Sequence, residues 1–244
     1  MDRKYISRLS LNKKVEEGSY LNNLAIVQYL LTGDIIHFEK DVTFFVGENG
    51  TGKSTLLEAI AVAYGFNPEG GTKNFSFSTN DTHSGLFDYL TVSKSKFPKD
   101  GFFLRAESFY NVATNIDELD KEVPLLDSYG GISLHEQSHG ESFLALVQNR
   151  FGGNGIYILD EPEAALSPSR LLTLIAEIDR LVKKNSQFII ATHSPILMAF
   201  PDAQIYQLTE KGVESVSYRD TEHYQLTRRF LENPEKMLRY VLED

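Results

Sequence analysis

The sequence has 244 residues and no cysteine. That excludes disulfides, a thiol nucleophile and any thiolate-ligated zinc or iron–sulfur site, and it fits a reducing, cytoplasmic setting. Long apolar runs are missing too. None approaches the ~20 residues needed to span a bilayer, so a membrane role would run through a partner. Met1 to Ser10 alternates polar and charged residues where a signal peptide would need an apolar centre. Positive charge is scarce: 24 Lys and Arg stand against 34 Asp and Glu, a net charge of −10. That balance disfavours a surface that grips nucleic acid over its whole extent. Lys94, Lys96 and Lys99, and the pair Arg228 and Arg229, are clusters small enough to be ordinary solvated surface.

What is present is a globular balance, with 41% hydrophobic and 24% charged residues in a chain long enough to bury a full core. Period-two alternation predicts a strand over Tyr5 to Leu11. Ile35 to Phe38 and Val42 to Val46 flank Glu39-Lys40-Asp41 and predict a hairpin. A helix follows from Ser54 to Tyr64. From about residue 67 to 135 the pattern is broken by Gly70-Gly71, Pro98 and Gly101 and reads as a small inserted lobe. That stretch contains a buried strand near Gly101 to Glu107 and a helical or loop segment at Asn115 to Lys121. After Gly140, helix and strand alternate: Glu141 to Phe151, Ile156 to Leu159, a helix capped by Ser167 and Pro168, then Phe188 to Ala191. A late hairpin joins Gln204 to Leu208 with Val213 to Ser217. His223 to Leu242 is expected to form a packed helical cap. The whole predicts one α/β domain over residues 1–244. Its mostly parallel sheet is flanked by helices and preceded by an antiparallel β part.

Gly47-Glu48-Asn49-Gly50-Thr51-Gly52-Lys53-Ser54 fills the pattern G-x-x-x-x-G-K-[ST], after a strand and before a helix. Glycines let backbone N–H groups turn inward around phosphate oxygens, and the helix points its positive end at the same anion. Gly47, Asn49, Gly50, Gly52, Lys53, Ser54 and Thr55 are therefore candidate nucleotide contacts. Lys53 would reach the β- and γ-phosphates, and the Ser54 hydroxyl would bind Mg²⁺. Downstream, the apolar strand Ile156 to Leu159 ends in Asp160-Glu161. Carboxylates at the tip of a parallel strand face the ligand crevice of an open α/β sheet. Neighbours on a strand point opposite ways, so Asp160 would hold Mg²⁺ while Glu161 would act on the attacking water.

His135-Glu136-Gln137-Ser138-His139 also matches the zinc-protease pattern H-E-x-x-H, with Glu163 downstream. A helix would have to run through both histidines, and the glycines on either side argue against one. The overlapping Gln137-Ser138-His139-Gly140-Glu141 fits a different pattern better. It resembles the signature loop of ATP-binding-cassette ATPases, in the S-x-G-E form of recombination and chromosome-maintenance ATPase heads. The order agrees: phosphate loop, signature, acidic strand end, a contact loop at Ala165-Leu166-Ser167, then Ala191-Thr192-His193-Ser194.

The resemblance implies a P-loop ATPase that binds and hydrolyses Mg-ATP between two copies of itself, arranged head to tail. Ser138, Gly140 and Glu141 of one copy would complete the shell around the γ-phosphate held by the other. His193 would touch that phosphate. The family's metal-sensing glutamine has its counterpart at Glu107, a carboxylate that would still reach Mg²⁺. The contact loop departs from the family at Ser167, where aspartate is usual. Adenine would stack on an aromatic for which Tyr20 and Tyr29 are candidates. His37, His83 and His223 have no visible partner and read as structural or surface residues. The function implied is a soluble mechanochemical ATPase driving a separate effector protein or a DNA transaction, in repair or defence. The alternative is the energy subunit of a membrane transporter.

Overall fold

The computed structural model describes residues 4–72, 84–120 and 126–242, so His83 lies outside them. In chain order the elements are β1 (Ile6–Leu11), α1 (Ala25–Leu31), β2 (Ile36–His37), β3 (Val42–Gly47), α2 (Lys53–Tyr64), β4 (Leu90–Lys94) and β5 (Asp100–Arg105). There follow α3 (Phe109–Asp120), α4 (His139–Arg150), β6 (Gly155–Asp160), α5 (Pro168–Val182) and β7 (Gln187–Ala191). Last come α6 (Pro195–Met198), β8 (Gln204–Thr209), β9 (Gly212–Ser215), α7 (Glu222–Glu232) and α8 (Pro234–Leu242).

Six strands form the main sheet in the order β5-β6-β7-β3-β8-β9. All its pairings are parallel except β8 with β9. A parallel strand covered on both faces reads as a continuous apolar run, and β3, β6 and β7 are buried at every position. Alternate side chains serve two cores. Phe45, Ile156, Ile158, Ile189 and Phe103 face α1, α2 and the antiparallel sheet. Phe44, Tyr157, Leu159, Phe188 and Ile190 face α3, α4 and α5.

The second sheet has the order β2-β1-β4 and is antiparallel. This corrects the expected hairpin. β2 pairs with β1 (Leu9 opposite Ile36), while β3 joins the main sheet between β7 and β8. The polar turn Glu39-Lys40-Asp41 therefore carries the chain from one sheet to the other. The two sheets are tied by Gln187, a fully buried amide. Its Oε1 accepts from the Tyr5 and Ile6 N–H groups at 2.8 and 2.9 Å, and its Nε2 donates to the Ile6 carbonyl at 2.9 Å.

Within the stretch read as an inserted lobe, β4 belongs to the antiparallel sheet and β5 to the main one. The C-terminal segment is helical but not a packed cap. Neither α7 nor α8 has a buried residue, and Leu231 and Val241 are 73% and 76% exposed. α7 touches α6, α8 and Tyr218 through Tyr224, yet apolar side chains along both helices stay exposed. No helix of the described residues is long and apolar enough to cross a membrane.

Candidate nucleotide site

The site gathers at the C-terminal ends of β3, β6 and β7, where the crevice of a parallel sheet opens. β3 ends at Gly47, whose φ of +144° and close approach to β8 leave no room for a side chain. A Cβ there would stand 2.2 Å from the Leu208 carbonyl oxygen. Gly50 and Gly52 continue the loop with φ of +83° and +95°, and Gly52 is the cap from which α2 starts. Lys53, on the first turn, is 4% exposed. Its Nζ folds back over the loop and donates to the carbonyls of Gly47 and Glu48 at 2.8 and 3.0 Å. Burial pushes the Lys53 ammonium down from its usual range, and Glu161 and Asp160 oppose that shift. A cation held this way lacks the strong counter-charge that a triphosphate supplies. Thr55 sits half-buried on the same turn, and Asn49 is exposed on the loop.

Ser54 and Asp160 meet: Oγ of the serine donates to Oδ1 of the aspartate at 2.9 Å. Two oxygens from different elements at this spacing suit a hard divalent cation such as Mg²⁺. Arg105, at the end of β5, closes the other side, with Nε 3.4 Å from Asp160 Oδ2. The Arg105 guanidinium is held in turn by Glu58 of α2, with Nη1 2.7 Å from Oε2. Glu107 lies at 3.6 Å from Arg105 Nη2, with its side chain 85% exposed. Ser54, Glu107, His139, Asp160 and Glu161 line one cleft of about 190 Å³. Both acidic metal-ligand candidates, Asp160 at the end of β6 and Glu107 in the turn after β5, are thus brought to it. The residue set against Asp160 is Arg105, which the sequence reading missed, because an arginine in a strand carries no pattern naming its partner.

Burial pushes the Asp160 carboxyl up to about 6. Glu161 and Glu107 add to the effect, and Arg105 and the Ser54 hydroxyl oppose it. A carboxyl whose folded pKa exceeds its unfolded value favours folding when protonated, and opposes it as pH rises from about 4 through 6. Asp160→Asn is therefore expected to raise the thermal unfolding midpoint of metal-free protein at about pH 7.5, by the equivalent of ~1–3 kcal/mol. Near pH 4 the gain should vanish, since amide and protonated acid are then alike. Calorimetry at the two pH values checks this; a lower midpoint at both would mean that the Arg105 contact outweighs burial.

Glu161 occupies a different position from the one alternation along a strand would give it. β6 ends at Asp160, and Glu161 takes φ +50° and ψ +51°, a left-handed conformation uncommon for a non-glycine residue. Its N–H still donates to the Ala191 carbonyl at 3.0 Å. The turn swings its carboxylate toward the tip of β7, where Oε1 stands 3.4 Å from His193 Nε2. That Nε2 is buried and has no hydrogen-bond partner among the described residues. Glu163 Oε1 accepts from the His193 backbone N–H. His193 Nδ1 meets His223 Nε2 of α7 at 3.0 Å. His223 is therefore neither a surface residue nor without a partner; a separation of 30 positions in the chain hid the contact from the sequence.

At the signature, Ser138 is the residue before α4. Its N–H donates to Glu141 Oε2 at 3.1 Å, and its hydroxyl donates to the same oxygen. Arg170 of α5 lies across the loop, with Nη2 3.0 Å from Glu141 Oε1 and Nη1 3.4 Å from Ser138 Oγ. A Cβ on Gly140 would meet Arg170 Nη1 at 2.5 Å and the Ala165 carbonyl at 2.9 Å. The Ser138 contact holds the Glu141 carboxyl below the usual range, with Arg170 assisting. Arg170 is a second residue that no motif announced. The H-E-x-x-H reading fails on backbone geometry. His135 lies in a short 3-10 turn, and Gln137 (φ −112°, ψ 158°) is extended, so no helix carries both histidines on one face.

Beside the phosphate loop a recess of about 550 Å³ is lined by Asn23, Glu48, Asn49, Lys211 and Glu222, among others. Neither Tyr20 nor Tyr29 lines it. Tyr20 is 58% exposed and Tyr29 packs against the core.

A phosphate loop feeding a helix, with Ser54 and a strand-end aspartate in contact, is the arrangement of a P-loop nucleotide site. Comparison with known proteins narrows the class. One family model, an AAA domain, matches residues 21–122. A second, described as "AAA domain, putative AbiEii toxin, Type IV TA system", matches residues 127–199. The ribose import ATP-binding protein RbsA of Yersinia pestis is 27% identical over 197 residues, 73% of this chain and 37% of that protein. The chain thus spans little more than a third of the length of the curated relatives it matches. Among solved structures, cbiO1 from Clostridium perfringens, part of the ABC transporter complex cbiONQ, superposes with a TM-score of 0.51 and 19% identity. It covers 98% of this chain and 99% of that one, a likeness of fold. The SMC head domain from Thermotoga maritima superposes with a TM-score of 0.46 and 18% identity, over 88% of this chain and 99% of that one. These comparisons make the chain similar to P-loop ATPases of the ATP-binding-cassette type.

Proposed function

We propose that the protein binds and hydrolyses Mg-ATP at the interface of a head-to-tail homodimer and couples the cycle to a separate effector. The observation that carries this is the pairing of Ser54 with Asp160 beside a buried, unpartnered His193 Nε2 and the Glu161 carboxylate. Lys53, the loop N–H groups and the start of α2 would cradle the phosphates. Ser54 and Asp160 would hold Mg²⁺, whose chemistry is to neutralise the developing phosphate charge, with Glu107 at the cleft's rim. Glu161 would take the proton of the attacking water, and His193 would donate from Nε2 to the γ-phosphate.

A second copy would complete this half-site: Ser138 is exposed at the start of α4, where it would be presented to a partner's γ-phosphate. Ser138, the Gly140 N–H and Arg170, which is paired with Glu141, would form a donor-rich cap for a partner's phosphate. Mixing inactive variants tests this. Lys53→Ala and Ser138→Arg should each lack ATPase activity alone. A mixture should regain it, because one composite site then combines an intact Lys53 with an intact Ser138. No recovery on mixing would argue against shared sites.

Coupling to an effector, with DNA as a possible substrate of the complex and repair or defence as its setting, is supported by two things. One is the exposed apolar side of α7 and α8, beginning at the site itself. The other is the toxin–antitoxin description of the family model over residues 127–199. A second reading, the energy subunit of a membrane transporter in the cytoplasm, is favoured by the import function named for the RbsA relatives. Co-purification of ATP-trapped protein with a multi-span membrane protein would select it.

A further inference from the structure

We propose that His223 is a positioning residue: it donates Nε2–H to His193 Nδ1, fixes the tautomer and ring angle of His193, and so ties α7 to the γ-phosphate end of the site. This rests on the role given above to His193.

The geometry carries the assignment. His193 Nδ1 and His223 Nε2 are 3.0 Å apart, so one of the two must be the donor. If His193 Nδ1 carried the proton, its Nε2 would turn a lone pair toward the Glu161 carboxylate 3.4 Å away, and two acceptors would face each other. If His223 donates instead, His193 is protonated at Nε2. That N–H then lies beside the Glu161 carboxylate, 3.4 Å away without a hydrogen bond to it, and would be available to a phosphate oxygen. The second arrangement puts an N–H rather than a lone pair beside the Glu161 carboxylate. It also keeps His223 neutral, as burial and the neighbouring His193 favour.

His223 is held in place by more than this bond. Thr221, fully buried, caps α7 by accepting from the Tyr224 N–H at 3.3 Å. The Glu222 N–H donates to Gln207 Oε1 of β8 at 3.0 Å. The first turn of α7 is therefore bolted to the sheet, and only beyond it do α7 and α8 emerge with apolar side chains exposed. A change in His193 on nucleotide binding or loss would be felt first by that turn.

Two measurements test the proposal. In long-range ¹H–¹⁵N spectra of the ¹⁵N-labelled full chain, His193, assigned by its loss in His193→Ala, should show the Nε2-protonated tautomer. In His223→Ala it should relax to a mixture. An Nδ1-protonated His193 in the native protein, or an unchanged pattern in the variant, would overturn the assignment. In steady-state kinetics, His223→Ala should lower kcat by about tenfold or more with KM for ATP unchanged, the cost of a mis-set catalytic group. The double variant with His193→Ala should be no slower than His193→Ala alone, and His223→Gln, which retains an N–H donor, should recover part of the loss. Turnover within about twofold of native for His223→Ala, or multiplicative effects, would refute the coupling. If Lys53→Ala and Glu161→Gln behave as expected while His223→Ala is silent, this inference alone fails. If the native protein does not turn over ATP, the proposed function fails, and the spectra still decide the tautomer.

Discussion

Lys53→Ala is expected to weaken ATP binding by roughly 100-fold or more, about 3 kcal/mol, the scale of a charge-assisted contact to phosphate. The geometry around Lys53 explains why the loss should fall on binding rather than on folding. Lys53 Nζ is buried, bonded only to two backbone carbonyls, with its ammonium disfavoured by burial. Removing it relieves a desolvated charge while deleting the one side-chain cation in the loop Gly47–Ser54. Isothermal calorimetry with Mg²⁺ and a non-hydrolysable ATP analogue measures the effect directly. An affinity equal to that of the native protein would remove Lys53 from the phosphate site.

The second large effect is expected from Glu161→Gln. Glutamine keeps the size of the side chain and its neighbourhood with His193, and loses the basic carboxylate. Hydrolysis should slow by on the order of 10²–10³-fold while ATP affinity is kept, as for the loss of a general base. With hydrolysis stalled and the phosphate caps engaged, the variant should accumulate as a dimer at saturating Mg-ATP, visible by light scattering. A variant that stays monomeric there, or that hydrolyses at the native rate, would contradict the shared site or the role of Glu161 respectively. The left-handed backbone at Glu161 sharpens the choice of substitution. Asparagine tolerates that conformation but is too short to reach His193, so glutamine is the informative change.

A nucleotide cycle acting through these residues would change little inside the sheet. β3, β6 and β7 are buried on both faces, and their tips only present side chains. What can move is at the margins. Lys53 would leave two carbonyls for phosphate, and Arg105 is shared among Asp160, Glu58 and Glu107. Arg170 bridges Ser138 and Glu141 at the start of α4.

By itself the sequence determined the parts whose chemistry is local. The phosphate loop follows from glycine spacing, the strand-end acids from an apolar run stopped by Asp160-Glu161, and the helix start at Ser167 from its capping residues. The late hairpin and the parallel alternation after Gly140 were legible for the same reason: period and punctuation are properties of neighbours in the chain. Tertiary structure alone decided which strands pair, since alternation states which face is buried and not which partner it meets. β2 therefore left the expected hairpin for β1, and β4 and β5 entered separate sheets. It also decided the company each functional group keeps. Arg105 reaches Asp160 across 55 positions, and His223 reaches His193 across thirty. Glu161 is aimed by a backbone turn, not by strand alternation. Those contacts depend on where a packed sheet brings distant side chains, and no spacing rule in one sequence encodes that distance.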